Sequence, residues 1–90
     1  MISTFAGCSN LQTVNMSTFE TKPVTSLKNV FLNCTSLTNV DMGNMNFSDN
    51  VTVVDALKNV KNNCTFIVKD NTIKNKLSST TSSTISFQIN

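Results

Sequence analysis

The chain has no histidine, arginine, tryptophan or tyrosine, and these absences remove much of the chemistry open to a 90-residue protein. Without imidazole a cysteine nucleophile lacks its usual base, and a zinc site lacks its nitrogen ligand. Without arginine there is no bidentate grip on phosphate or guanine, and only phenylalanine remains to stack on bases. The two glycines, Gly7 and Gly43, form no phosphate loop. No apolar run approaches the roughly 18 residues of a membrane span. Met1 is not followed by a basic start and an apolar run, so no signal peptide is visible. The five carboxylates, Glu20, Asp41, Asp49, Asp55 and Asp70, show no paired spacing for acid–base work. All seven cations are lysines, five of them in the C-terminal half, and together they read as a solvated face. These features leave no catalytic residue, metal ligand or cofactor site to name and argue against a nucleic-acid partner.

What the chain does have is asparagine, threonine and serine, which supply 38 of its 90 residues. With that vocabulary, matches on polar residues are cheap, so a repeat must be tested on its apolar and cysteine positions. "FAGCSNLQTVNMS" (5–17) overlays "FLNCTSLTNVDMG" (31–43), pairing Phe5 with Phe31, Cys8 with Cys34, Leu11 with Leu37, Val14 with Val40 and Met16 with Met42. A second alignment joins "LKNVFLNC" (27–34) to "LKNVKNNC" (57–64) and sets Cys64 beside Cys34. Its offset is four residues longer, which points to a small insertion within 43–53.

Each unit divides into a strand, a loop and an amphipathic stretch. "LQTVNM" and "LTNVDM" place Val14 with Met16, and Val40 with Met42, on one face of a strand. Gln12, Thr13, Asn15, Thr38, Asn39 and Asp41 form the opposite, polar face, which makes them the candidate binding residues. A polar loop follows with an apolar plug, Phe19 in one copy and Met45 or Phe47 in the other. The three- and four-residue steps of Val24, Leu27, Val30 and Phe31, and of Val51, Val54, Leu57 and Lys61, predict helices. Pro23 suits the first helical turn with Thr21 as cap, and Ser48 or Asn50 would cap the second helix. One cysteine per unit predicts Cys8, Cys34 and Cys64 reduced and buried in a single column beside the phenylalanines. Three is also an odd number for a disulfide framework. The expected core is therefore Phe5, Cys8, Leu11, Val14, Met16, Phe31, Cys34, Leu37, Val40, Met42 and Cys64.

The motif F-x-x-C-[ST]-x-L-x-x-V-[DN]-M, followed by S-x-F-x-T-x-x-V-T, resembles the BspA-type leucine-rich repeats of bacterial and protist surface proteins. The resemblance covers about residues 1–68, with methionine where that family usually has leucine. It implies an α/β repeat: a short right-handed solenoid with a parallel sheet on one face, helices on the other and a C-terminal cap. On this division 1–77 are repeats and cap, 78–84 ("SSTTSST") a flexible connector, and 85–90 ("ISFQIN") a half-buried terminal strand. The first residues align with the middle of a unit, which is expected of the C-terminal part of a longer array, or of a chain docking its open N-terminal face on upstream repeats or a partner.

The function implied is a non-catalytic, adhesin-like binding module, extracellular or on a cell surface, that contacts a protein or glycan. The alternative is a small structural or assembly protein, such as a virion or appendage component, that uses the repeat as a docking platform.

Overall fold

The computed structural model describes residues 2–16 and 23–90. The positions assigned above to Phe19 and Thr21 lie outside these. Among the described residues seven elements follow in order: β1 (Thr13–Asn15), β2 (Val24–Ser26), β3 (Asn39–Asp41), β4 (Phe47–Thr52), β5 (Cys64–Val68), α1 (Asn71–Ser78) and β6 (Ile85–Ile89). They build a four-stranded sheet ordered β1-β3-β5-β6 and a two-stranded sheet ordered β2-β4, and every pairing is parallel.

The register of the larger sheet sets the architecture. Val14 lies beside Val40, Val40 beside Phe66, and Phe66 beside Phe87. From β1 to β3 to β5 the step is 26 residues each time. The third unit therefore stacks at the same step as the second, and the longer offset suggested by "LKNV" is overturned. At the true step Asn29 matches Asp55, Phe31 matches Leu57 and Cys34 matches Val60. The repeated word does not mark equivalent positions; Phe31 with Leu57 and Cys34 with Val60 keep apolar character without identity.

The stretches expected to be helical are not helices. Val24–Ser26 and Phe47–Thr52 are strands, and the chain after each proceeds through turns. The turn backbones bond to the next layer: Ser3, Phe5 and Gly7 donate to the carbonyls of Lys28, Val30 and Leu32, and Asn29, Phe31 and Asn33 to those of Val54, Ala56 and Lys58. Donation at every second residue to a neighbouring layer is ladder bonding, and it takes the place of the bonds a helix would make internally. The three-and-four apolar spacing was real, since Val24, Leu27, Val30 and Phe31 are all buried. It arose from a chain turning around a core. Val54, assigned to the helix core, is instead 53% exposed.

Those turns need left-handed backbone, and the sequence supplies it on schedule. Ser3, Asn29 and Asp55 have φ of 56°, 57° and 52°, and Gly7, Asn33 and Asn59 have φ of 75°, 62° and 63°. Asparagine, aspartate and glycine tolerate this region best because their side chains are short and polar or absent. Asn29, Asn33 and Asn59 are thereby explained.

The core runs between the two sheets. Met16, Leu27, Val30, Phe31, Leu37, Val40, Met42, Leu57, Phe66, Val68 and Leu77 are fully enclosed, with Met45 as the buried plug of the second loop. An aromatic ladder crosses the layers: Phe5 stacks on Phe31 at 5.5 Å, Phe31 meets Phe66 edge-on at 5.6 Å, and Phe66 meets Phe87 at 6.1 Å. At the first layer Phe5, Leu11 and Val14, all placed in the expected core, are only partly buried, because no further layer covers them among the described residues.

The segment 78–84, expected to be a flexible connector, closes the third layer. Leu57 N–H donates to Thr80 Oγ1 at 3.1 Å, and Thr80 Oγ1 donates in turn to Leu77 O at 2.7 Å. Ser83 Oγ donates to Val60 O, Thr84 N–H to Asn62 Oδ1, and Asn63 N–H to Thr84 O. The Thr80 hydroxyl stands in for a backbone carbonyl that a fourth turn would have offered, while the Ser83 hydroxyl supplies a donor to this layer. Helix α1 starts at Asp70, whose carboxylate accepts from Ile73 N–H at 3.1 Å, and it buries Ile73 and Leu77. At the chain's last residue Asn90 Nδ2 donates to Gly43 O at 3.1 Å, an approach so close that a Cβ on Gly43 would lie 2.9 Å from the Asn90 side chain.

Candidate functional site

The outer face of the four-stranded sheet takes shape from strand alternation alone. In β1 and β3 the residues between the buried ones turn to solvent, so Thr13, Asn15 and Asn39 are exposed and Asp41 is half-exposed. Gln12 and Thr38, just before these strands, are exposed as well. Of the six candidate binding residues, Thr13, Asn15, Asn39 and Asp41 share the outer face, whereas Gln12 and Thr38 stand at the other phase of the alternation, where their third-layer equivalent Cys64 is buried. Two of the six also serve the fold: Thr38 Oγ1 donates to Gln12 O at 3.0 Å, and Asp41 Oδ1 accepts from Gly43 N–H at 3.1 Å.

The register extends that outer face beyond these four strand residues. One row runs Thr13, Asn39, Thr65, Ser86, and a second runs Asn15, Asp41, Ile67, Gln88. Thr65, Ile67, Ser86 and Gln88 were not among the candidates. Thr65 and Ile67 follow from carrying the 26-residue step one unit further, which the misleading "LKNV" match concealed. Ser86 and Gln88 follow from the alternation of "ISFQIN" once its pairing with β5 is known. Strands in a sheet lie about 4.8 Å apart, so the two rows form a short grid of hydroxyls and amides with one carboxylate, Asp41, and one aliphatic side chain, Ile67.

A second concavity lies between β4 and α1. It has a volume of about 380 Å³, with Asp49, Lys69, Asp70, Thr72 and Lys76 among its lining. Three of its charged groups, Lys69, Asp70 and Lys76, have partners within the fold. Lys69 Nζ donates to Asn46 Oδ1, Lys76 Nζ donates to Asp49 O at 3.0 Å, and Asp70 caps the helix. The arrangement braces the helix against β4, and it brings no nucleophile together with a base.

The cysteines do not form the expected column. Cys34 and Cys64 are buried, Cys8 is exposed, and all three are free thiols. By register Cys64 is the equivalent of Thr38, the residue before the paired Asn39 and Thr65, and the layer position of Cys34 passes to Val60. Cys34 Sγ donates to Phe5 O at 3.0 Å. Burial pushes the Cys34 thiol up, opposed by a hydrogen bond from the Cys8 backbone and aided by repulsion from the Cys8 thiol. Cys64 is pushed up to about 11, first by burial and then by repulsion from Cys34, with Lys61 acting the other way. Both are held as neutral thiols at physiological pH, the opposite of what nucleophilic or metal-binding cysteine requires. Among the described residues no group of His, Cys, Asp or Glu is placed to hold a metal ion, and no helix is long and apolar enough to cross a membrane.

Comparison of the chain with known protein families, with characterised proteins and with solved structures finds no match.

Proposed function

We propose that the chain is a non-catalytic binding module, a short leucine-rich-repeat-like solenoid that offers the outer face of its four-stranded sheet to a protein or glycan. The observation that carries this reading is the grid itself: eight outward positions in two straight rows, with Asp41 the single ionisable group. A surface of uncharged donors and acceptors at regular spacing suits an extended polymer whose own hydroxyls or amides recur along its length, and Ile67 supplies an apolar contact near the middle. Kinship with the BspA-type repeats is supported by the 26-residue parallel step and the L-x-x-V-x-M strands. The intervening turns depart from the helices that resemblance implied. Display outside a cell rests on the resemblance alone.

The test is a binding screen with the immobilised chain against a panel of polysaccharides and matrix glycoproteins. It is repeated with Asn39→Ala, Thr65→Ala and Gln88→Ala combined. A binder that loses at least about tenfold in affinity, ~1.4 kcal/mol, supports the face. A binder that ignores these changes while the fold is intact removes the face from consideration.

A further inference from the structure

We propose that this chain associates head to tail with further copies of itself, β6 of one molecule adding in parallel to β1 of the next. Three independent observations carry this beyond the ligand-binding reading above.

The first is that the two ends of the sheet match. β1 and β6 are its edges, and all four strands run the same way, so a second molecule placed beyond β6 continues the sheet without reversal. The side-chain columns also continue. Val14, Val40, Phe66 and Phe87 form the inward column, and Thr13, Asn39, Thr65 and Ser86 the outward one. Placing Phe87 beside the next molecule's Val14, and Ser86 beside its Thr13, keeps every inward residue inward; a slip by one residue would reverse them all.

The second is incomplete burial at both ends of the same core. Phe5, Leu11 and Val14 at one end and Ile85 and Phe87 at the other are packed on the core yet only partly covered, and Ile89 is 48% exposed. The aromatic ladder that begins at Phe5 and ends at Phe87 has a half-covered ring at each terminus.

The third is charge. Residues 2–16 contain no charged side chain, and neither do residues 77–90. Edge strands are ordinarily kept apart by lysine, proline or an inward charge. Among the described residues neither edge carries such a guard, although lysine is plentiful between them. Among the described residues of the two edge strands a partner meets no charged side chain to desolvate, and a second copy is the partner whose opposite end fits both.

The backbone says where to intervene. Gln12 O and Met16 N–H bond to β3, so Thr13 points its backbone away from β3. Thr84 O and Asn90 N–H bond to β5, so Ile85, Phe87 and Ile89 point theirs away. Proline at Thr13 or at Ile89 therefore removes a donor on the outward edge without breaking a bond to the neighbouring strand.

Because the two surfaces differ, the contact is heterologous and adds subunits beyond a dimer, to an open filament or to a ring where the rotation closes. Sedimentation velocity of the full chain from micromolar to millimolar concentration is expected to show an average mass that at least doubles and does not settle at a dimer. Thr13→Pro alone and Ile89→Pro alone should each remain monomeric, with native circular dichroism. Mixed in equal amounts, they should form a dimer that grows no further, since each retains the surface the other lost. A wild-type chain that stays monomeric throughout overturns the proposal. So does a single variant that still dimerises, which would indicate a like-with-like contact. Gln88→Pro, which breaks the ladder to β5, serves as the control for simple unfolding.

Discussion

Asn59 donates from its side-chain amide to Asn33 Oδ1 at 2.8 Å, and both residues hold left-handed backbone at equivalent points of successive turns. One residue type thus meets two demands, a tolerated positive φ and a lateral bond between layers. Alanine meets neither. Asn59→Ala is expected to destabilise by about 1–2 kcal/mol and Asn59→Gly by less, because glycine relieves the backbone though it loses the bond. Equal losses for the two variants in urea melts would show that the left-handed backbone contributes nothing.

Burial at Leu37 and exposure at Thr38 should separate cleanly. Leu37→Ala removes a fully enclosed side chain and should cost about 2–5 kcal/mol. Thr38→Ala loses only the exposed hydrogen bond to Gln12 O, worth about 1 kcal/mol or less. Denaturant midpoints check the order.

Thr80 holds a position that side-chain size alone would not explain. Thr80→Val keeps the shape and deletes the acceptor for Leu57 N–H, at a cost of about 1–3 kcal/mol. Serine at the same place should keep most of the stability. A valine variant as stable as wild type would mean the N–H is satisfied by water.

The thiols predict a pH dependence with a definite sign. Cys64 keeps its proton more tightly when folded, about 11 against an ordinary value of 9.0, because burial disfavours the thiolate. Its contribution is therefore complete below pH 9 and is lost as pH rises toward 11. Cys64→Ala should flatten that part of the stability–pH curve, though the truncation lowers the whole curve. At neutral pH a thiol reagent should label Cys8 rapidly, and Cys34 and Cys64 only on unfolding.

The strands and the polar face were legible because a two-residue alternation survives in short segments: Val14 with Met16 and Val40 with Met42 needed only their spacing. The turns were misread as helices because a chain winding around a core buries residues at three- and four-residue steps, as a helix does. The signal that could have separated the two was the recurrence of Asn29 with Asp55 and Gly7 with Asn33, residues suited to positive φ and poor for helices. Cys64 was misplaced by identity outweighing register: a matching cysteine drew the alignment four residues off, while Val60 and Ala56 held the equivalent places inconspicuously. The closing role of Thr80, Ser83 and Thr84 was hidden because a side-chain hydroxyl or a lone backbone bond that completes a layer leaves no pattern in the sequence.

Strand β4 absorbs a difference in chain length. Val24 pairs with Phe47 but Ser26 pairs with Thr52, so β4 spends three more residues than β2 over the same span. The loop before β4 is shorter by that number, and by Leu27 and Thr52 the two layers are back in step. The bulge acts as an expansion joint, confining a change of length to one layer and leaving the phase of the layers beyond untouched. Residues 48–50 are accordingly the place where this chain would accept extra sequence, and anything inserted there would emerge on the rim of the cleft beside α1.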